Sequence, residues 1–351
     1  KLENVWLILE RFSNYMRHLA SLFLDFPVAE SDFEQQVFAF CQAWRAGQTE
    51  FTFHTSGSTG EPKPIVISRE RLYLSAKMTG DWLKLEKGDV ALLSLPPSYI
   101  AGAMVLVRAL VHDLALILVE PCQNPLSQIP PTKIHLASFV PTQWATMLTS
   151  EVEFYDYFQE AKGVLLGGAS VPESLRKDYG FPVYETYGMT ETVSHVAYRT
   201  WNQSHFQTLP GVQIGQNDED CLLICSPVTD NKWIETRDIV EWKTDGQFIL
   251  KGRLDRVINS GGIKLQPEKI ETVYRSMTSL PLFVAGIPDA FWGQKLVLFL
   301  ESSSTVSIIL ETELLSSAEI PKEIICLPSF IKTASAKIDT AKTVALYLNS
   351  L

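Results

Sequence analysis

The 351-residue sequence is short of basic residues, has few cysteines and contains no long uninterrupted apolar run. Lysine and arginine number 30 against 40 aspartate and glutamate residues, which gives a net charge of −10. Proteins that bind nucleic acid usually present a basic face, so this charge argues against a nucleic-acid partner. It does not argue against a bound anion, because local geometry can hold phosphates against the field of the whole protein.

The five cysteines are scattered and odd in number, which is typical of reduced thiols rather than of a disulfide framework. No secretory leader is recognisable, so we expect a cytoplasmic protein. Cys221 and Cys225 lack the second pair or the histidines of a zinc site, and we expect both in the core. Arg108 and Asp113 interrupt the apolar stretch 100–119, which argues against a membrane span.

Residues 50–200 alternate short apolar runs with segments of helical periodicity, which predicts an α/β layered fold with a largely parallel sheet. The stretch "SVPE", 170–173, has the form of a capping box and predicts a further helix. Strands are predicted over 50–54, 65–67, 90–94, 114–119, 134–139, 163–166 and 182–184, and helices over 69–85, 101–112 and 141–149.

A chain of this length favours two domains. Between 200 and 252, "CLLICS", "WIET", "DIVEW" and "QFILKG" predict short strands of a small antiparallel, barrel-like subdomain. Beyond 255, a hairpin, a helix, two strands and a helix starting near Thr340 predict a small α+β unit. The polar stretch "GRLDR", 252–256, reads as a hinge, so we predict a large domain over 1–254 and a mobile domain over 255–351.

The stretch "TSGSTGEPK", 55–63, combines glycines, hydroxyl side chains and a lysine. Glycine lets backbone N–H groups approach a ligand closely, and Lys63 adds a mobile positive charge. Together these groups predict a cradle for phosphate oxygens. It is not the common NTPase loop, because Pro64 stands where that loop has its Mg²⁺-binding Ser or Thr, and a strand follows.

This loop and further stretches in the same order resemble the motifs of the adenylate-forming superfamily, which includes acyl- and aryl-CoA ligases. The further stretches are Gly167-Gly168-Ala169, "YGMTE" (187–191), "TRD" (236–238), "GRLDR" (252–256), "SGGIKLQPEKIE" (260–271) and "ASAKID" (334–339). The resemblance implies that a carboxylic acid attacks ATP to give an acyl-AMP, and that the acyl group then passes to coenzyme A. It also implies Mg²⁺ as the metal ion.

The resemblance also implies roles for individual residues. Tyr187 would stack on adenine and Asp238 would accept hydrogen bonds from the ribose, whereas a core tyrosine and an ordinary turn aspartate are the alternatives. Thr190, Glu191 and Lys337 would be catalytic, with Glu191 holding Mg²⁺. The implied ATP-binding set is Thr55, Ser56, Gly57, Ser58, Thr59, Gly60, Lys63, Gly167, Gly168, Ala169, Tyr187, Gly188, Asp238 and Arg253.

The small domain would turn about Asp255, and Gly261 and Gly262 would line the channel for coenzyme A. The same two glycines could instead only form a hairpin turn. No carrier domain or pantetheine-attachment serine is recognisable after 340, so free coenzyme A is the expected thiol.

Four stretches are similar to the o-succinylbenzoate–CoA ligases in particular: 95–110, 138–143, 164–172 and 187–199. Such an acid carries a second, aromatic carboxylate that needs a donor, which Arg108 or His195 could supply. A snorkelling arginine and a structural histidine are the alternatives. The candidate substrate-binding residues are Tyr99, Gly102, Arg108, Ser194 and His195.

The sequence departs from its relatives before the glycine loop, where it has only 54 residues. This implies a reduced first subdomain, or a pocket completed by a second subunit in a homodimer. Two other functions stay open from the sequence: a stand-alone aryl- or amino-acid-adenylating enzyme that loads a carrier protein, and a non-catalytic nucleotide-binding relative.

Overall fold

The computed structural model describes residues 16–18, 29, 31–54, 64–150, 153–244, 246–306, 308, 313–332 and 338–350. The predicted phosphate-binding loop 55–63 and the predicted catalytic Lys337 lie outside the described residues. None of the helices in the described part of the chain combines the length and the apolar character needed to cross a bilayer.

The strands, in chain order, are β1 (Met16–His18), β2 (Glu50–His54), β3 (Pro64–Ser68), β4 (Val90–Leu93), β5 (Ala115–Leu118), β6 (Leu136–Phe139), β7 (Gly163–Leu166), β8 (Val183–Gly188), β9 (His195–Arg199), β10 (Phe206–Thr208), β11 (Gln213–Gln216), β12 (Cys221–Cys225), β13 (Ile234–Thr244), β14 (Gln247–Arg253), β15 (Ile258–Ser260), β16 (Ile263–Leu265), β17 (Leu282–Asp289), β18 (Gly293–Glu301) and β19 (Glu323–Leu327). The α-helices of the described residues are α1 (Asp32–Arg45), α2 (Arg69–Leu83), α3 (Ile100–His112), α4 (Pro141–Leu148), α5 (Tyr155–Phe158), α6 (Pro267–Arg275) and α7 (Thr340–Asn349).

Twelve strands of the described chain form one mixed sheet in the order β1-β5-β4-β6-β7-β8-β9-β10-β14-β13-β12-β11. Strands β5, β4, β6, β7 and β8 are parallel, and the strands from β9 onward run antiparallel. The central parallel strands are almost wholly apolar and buried because both faces are covered. The α/β fold class is therefore confirmed, and the antiparallel part continues the same sheet.

A second sheet follows in the order β16-β15-β18-β17, with β19 parallel to β18. Helix α6 covers one face with Ile270 and Tyr274, whereas Tyr347 of α7 packs on the other face beside Phe299. This arrangement confirms an α+β unit. The chain leaves the first sheet at Arg253 and enters the second at Ile258, but the mobility of this unit and the 254/255 boundary stay predictions.

Two local predictions were wrong. The stretch "SVPE" does not start an α-helix, because only a 3-10 turn forms over Glu173–Leu175 and it is capped at Pro172 rather than Ser170. The turn ends at Arg176, where φ −95° and ψ +87° lie outside the helical region. The stretches "WIET" and "DIVEW" belong to one strand, β13, because the intervening residues stay paired or extended beside β12 and β14.

The remaining local predictions agree with the structure within a few residues. Cys221 and Cys225 are both buried in β12, as expected for small core residues. The core beside the candidate site is built from the β2–β3 hairpin, α2, α3 and the antiparallel strands, with Phe51, Leu72, Met104, Val196 and Phe248 among its buried members.

Candidate active site

The β2–β3 hairpin brings together the two ends of the predicted phosphate-binding loop. His54 pairs with Pro64 at the end of the ladder, directly before and after residues 55–63. Helix α2 begins immediately after β3, and the Ser68 hydroxyl caps it by accepting a hydrogen bond from the Arg71 N–H. The roles of Thr55 through Lys63 stay predictions.

The Gly167-Gly168-Ala169 segment follows the carboxyl end of β7. A Cβ on Gly167 would lie 2.6 Å from the Thr186 hydroxyl oxygen, and Gly168 adopts φ +79°. Both positions therefore favour glycine for steric reasons. Gly168 and Ala169 are exposed beside the end of β8, which leaves their backbone accessible to a ligand.

Tyr187, Asp238 and Arg253 meet at the end of β8. The Tyr187 hydroxyl donates to Asp238 Oδ2 at 2.6 Å, and Arg253 donates to Asp238 Oδ1 at 3.2 Å. The Tyr187 ring is buried, with its centroid 5.3 Å from that of Phe248. Burial, together with the charge of Asp238, raises the Tyr187 pKa well above its usual value. This burial supports the core alternative for the ring, and adenine stacking stays a prediction.

Arg253 also holds the predicted hinge residue Asp255. Its Nε and Nη2 atoms donate to the two Asp255 carboxylate oxygens at 2.9 and 2.8 Å. These hydrogen bonds raise the pKa of Arg253 and lower the pKa of Asp255. Arg253 thus joins the buried Asp238 to the start of the second unit, so a rotation about Asp255 would have to break or carry this pair.

Thr190 and Glu191 lie in a 3-10 turn over Thr190–Thr192 that follows β8. The Thr192 hydroxyl oxygen accepts from the Met189 N–H at 3.0 Å and lies 2.9 Å from the Ser194 carbonyl oxygen. The Glu191 side chain is exposed, and no ion-pair partner for it occurs in the described part of the chain. The carboxylate is thereby free to bind a ligand.

Val193 completes a strained chain reversal that the sequence did not predict. It adopts φ +66° and ψ −55°, and the Ser194 N–H donates to the Thr192 carbonyl at 2.7 Å, which is the geometry of a γ-turn. A β-branched residue rarely adopts positive φ. The reversal brings the Ser194 carbonyl so close to Gly188 that a Cβ there would lie 2.2 Å away.

Arg108, Ser194 and His195 form a second cluster, between α3 and the start of β9. Arg108 is 2% exposed, and its Nη2 donates to the Ser194 hydroxyl at 2.8 Å and lies 3.5 Å from His195 Nδ1. The Thr79 hydroxyl of α2 lies 3.3 Å from His195 Nε2. Sequence reasoning did not single out Thr79, because its helix spacing alone does not distinguish it from other buried positions.

The Arg108 charge is buried without an anion among the described residues. Its Nε atom has no hydrogen-bond partner, and burial, with no opposing carboxylate, lowers the Arg108 pKa to about 10. Burial and the neighbouring Arg108 charge also lower the pKa of His195 well below its usual value, so the imidazole is neutral. A buried unpaired cation is costly, and a carboxylate ligand would offset that cost.

The other predicted substrate residues lie at the opposite end of α3. Tyr99 precedes the first turn and is half-buried, without a side-chain cap bond. A Cβ on Gly102 would lie 2.3 Å from the Pro96 carbonyl oxygen, so glycine allows the close approach of two backbone segments. Gly102 therefore has a packing reason independent of any substrate.

Gly261 and Gly262 form the two-residue turn between β15 and β16. They adopt φ +61° and +84°, and the Gly261 N–H donates to the Trp292 carbonyl at 2.8 Å. The two glycines therefore do form a hairpin turn. Their contribution to a coenzyme A channel stays a prediction.

The side chains fit a weakly held Mg²⁺ ion. Among the described residues, no group of three or more histidine, cysteine, aspartate or glutamate side chains could cage a metal. Mg²⁺ often binds one or two carboxylates and completes its shell with substrate phosphates and water. The single exposed carboxylate of Glu191, beside the hydroxyl of Thr190, matches that donor set.

Comparisons with known sequences agree with the motifs. The sequence model described as "AMP-binding enzyme" matches residues 24–219, which is more than half of the chain. The 2-succinylbenzoate–CoA ligase of Listeria monocytogenes serotype 4b (strain F2365) is 28% identical, over 90% of this chain and 73% of that protein.

Solved structures agree as well. An acyl-CoA synthetase (AMP-forming)/AMP-acid ligase II-like protein from Dyadobacter fermentans is 35% identical with a TM-score of 0.64, over 94% of this chain and 99% of that chain. The o-succinylbenzoate coenzyme A synthetase from Bacillus subtilis, in complex with ATP and magnesium ion, is 23% identical with a TM-score of 0.72, over 84% of this chain and 69% of that chain. The second likeness shows the fold alone, whereas the family match shows membership: the chain belongs to the AMP-binding enzyme family.

Proposed function

We propose that the protein is an AMP-forming acid–CoA ligase that converts o-succinylbenzoate to o-succinylbenzoyl-CoA in menaquinone biosynthesis. Membership of the AMP-binding family supports the reaction class. The similarity to 2-succinylbenzoate–CoA ligases, which extends over 90% of this chain, supports the acid and the thiol. ATP, coenzyme A and the acid are substrates in this proposal, and Mg²⁺ is the metal ion.

The observation that carries the choice of acid is the buried Arg108 cluster. A monocarboxylic acid that presents its only carboxylate to ATP would leave the Arg108 charge unpaired. o-Succinylbenzoate has a second carboxylate on its aromatic ring, which can pair with Arg108 while Ser194 and the neutral His195 complete the hydrogen bonds. A buried donor set of this kind discriminates strongly against ligands that lack the group it binds.

In the first step, an oxygen of the succinyl carboxylate attacks the α-phosphorus of ATP. The new phosphorus–oxygen bond forms as the bond to the pyrophosphate oxygen breaks, so acyl-AMP and pyrophosphate result. Lys337 and Thr190 would support the charge at the α-phosphate, and Asp238, oriented by Arg253, would hold the ribose. Mg²⁺ on Glu191 would neutralise phosphate charge when bound.

In the second step, the sulfur of coenzyme A attacks the acyl carbonyl carbon. The carbon–oxygen bond to AMP breaks, AMP leaves, and the thiol proton passes to solvent. Rotation about Asp255 would withdraw Lys337 and bring the Gly261–Gly262 turn towards the site. Arg256, which follows the hinge, is held by Glu268 at 3.0 Å and by Glu271 at 2.5 Å, so the segment beyond Asp255 would move with α6.

The acid is tested with two ligands that differ in one group. o-Succinylbenzoate and 4-oxo-4-phenylbutanoate share the succinyl carboxylate, but only the first carries the ring carboxylate. We expect pyrophosphate release with a kcat/KM at least about 10²-fold higher for o-succinylbenzoate, and coenzyme A thioester as the product. Equal rates for the two acids would contradict the role of the Arg108 cluster, and no turnover with either would contradict the proposed acid.

A substitution of Lys337 tests whether this residue acts in the first step only. We expect Lys337→Ala to lower pyrophosphate release by about 10²–10³-fold while thioester formation from supplied acyl-AMP stays largely intact. Equal losses in both assays would contradict the assignment of Lys337 to the first step.

A further inference from the structure

One arginine links three segments that are far apart in the sequence. Arg71 lies in the first turn of α2, directly after the β2–β3 hairpin. Its Nε donates to the Val228 carbonyl at 2.5 Å, and its Nη2 donates to the Glu191 carbonyl at 2.6 Å. The side chain therefore ties the helix after the predicted phosphate loop to the turn that carries the predicted Mg²⁺ ligand.

The Glu191 turn needs such support. Val193 holds a backbone conformation that is unfavourable for a β-branched residue, and strain of this kind persists only where the surroundings fix it. The carbonyls at the end of a short helix also lack partners within the helix. Arg71 supplies one of these partners and binds Glu191 only through its backbone, which leaves the carboxylate available.

We propose that Arg71 is a positioning residue that fixes the backbone of Glu191, so that the Glu191 carboxylate is aimed at the Mg²⁺ ion bound to ATP. The proposal rests on the proposed function. Arg71 is not itself a metal ligand, because a guanidinium has no acceptor and repels a cation. Its loss should weaken the contribution of Mg²⁺ to ATP binding and spare the binding of ATP alone.

The test measures ATP affinity by titration calorimetry, with excess Mg²⁺ and with EDTA, for the wild type, Arg71→Met, Arg71→Lys and Arg69→Met. Arg69 is the matched control, because it lies in the same helical turn and also donates to a backbone carbonyl, that of Trp44. The Mg²⁺-dependent gain is the ratio of the ATP affinity with Mg²⁺ to that with EDTA. We expect this gain to be about tenfold smaller in Arg71→Met than in the wild type, and the ATP affinity in EDTA to stay within about twofold of wild type. Arg69→Met should keep the whole gain.

Arg71→Lys keeps the positive charge, but a lysine ammonium cannot donate to both carbonyls as the planar guanidinium does. We therefore expect its Mg²⁺-dependent gain in ATP affinity to lie between those of Arg71→Met and the wild type. The Mg²⁺ concentration for half-maximal pyrophosphate release should rise in parallel, about tenfold in Arg71→Met, without a change in the KM of the acid. If Arg71→Met does not fold, the test rests on Arg71→Lys. A Mg²⁺-dependent gain in ATP affinity equal to that of the wild type in Arg71→Lys would then overturn the proposal.

Losses of equal size with Mg²⁺ and with EDTA would show that Arg71 is merely structural, and a similar defect in Arg69→Met would show the same. Both results leave the proposed function standing. A wild-type protein that binds no ATP under either condition would instead contradict the proposed function itself.

Discussion

Replacing Arg108 by methionine should stabilise the ligand-free protein, which is the opposite of what most core substitutions do. The Arg108 side chain is 2% exposed, and burial lowers its pKa to about 10. Arginine is still protonated at pH 7, so the folded protein carries the cost of the buried charge. At about 1.36 kcal/mol for each pH unit below the ordinary arginine pKa, this cost is about 3 kcal/mol.

The substitution also removes the hydrogen bond from Arg108 to Ser194, which is worth about 1 kcal/mol. The expected net gain is therefore about 2 kcal/mol, in the range seen when buried ionic groups are replaced by apolar ones. Because the folded-state pKa is lowered, the unfolded chain holds the proton more tightly, and the penalty is fully present below about pH 10. The gain should thus be constant between about pH 7.5 and pH 9, above the range in which His195 of the unfolded chain takes up its proton.

The assay is thermal unfolding, with Arg199→Met as the matched control. Arg199 is a half-buried arginine that does have an anion, since its Nε lies 2.7 Å from Glu185. We expect a melting temperature about 3 °C higher for Arg108→Met and a lower one for Arg199→Met, which leaves Glu185 with less compensation. o-Succinylbenzoate at about 100 times its Kd should stabilise only the wild type, by about 2.7 kcal/mol. Destabilisation by both substitutions would refute the view that Arg108 is an unpaired buried charge that an anionic ligand compensates.

Three further outcomes follow from the same region. The neutral His195 should make the protein lose about 1 kcal/mol between pH 7.5 and 5.5, since the unfolded chain gains a proton there that the folded protein does not bind; urea titrations should show that His195→Asn lacks this loss. Gly188→Ala should abolish pyrophosphate release and lower the melting temperature, because its Cβ would meet the Ser194 carbonyl. Tyr187→Phe should cost about 1–3 kcal/mol in urea by leaving Asp238 Oδ2 without its donor, and an unchanged midpoint would contradict this.

The sequence predicts the fold well in those helices and strands whose hydrophobic residues follow a single periodicity from end to end. Strand β7 agrees with its predicted bounds, and α3 begins one residue before its prediction, because continuous apolar runs and helical spacing are local signals. The errors at "SVPE" and at "WIET…DIVEW" have non-local causes. The backbone after "SVPE" leaves the helical region at Arg176, and the "TRD" residues stay extended because β12 and β14 flank them.

The candidate site could be predicted only in part. Motif order anticipated that Tyr187, Asp238 and Arg253 belong together, and they are in contact. The contacts of Arg71 and the γ-turn at Val193 could not be predicted, since they depend on tertiary packing. Val193 even contradicts local preference, which is a common property of residues near functional sites.

The turn between Gly188 and Ser194 sets how the two candidate substrates face each other. The Glu191 side chain is exposed where the nucleotide is predicted to bind, and after the reversal at Val193 the Ser194 hydroxyl accepts from Arg108 at the proposed acid site. Only a few residues separate the predicted metal ligand from the proposed carboxylate cluster, so a shift of this turn would displace one substrate relative to the other. Attack of the carboxylate oxygen on the α-phosphorus requires the reacting atoms within about 3–3.5 Å. A strained turn, fixed on one side by Arg71 and on the other by Arg108, gives the rigidity that such alignment needs, and a freely flexible loop would not.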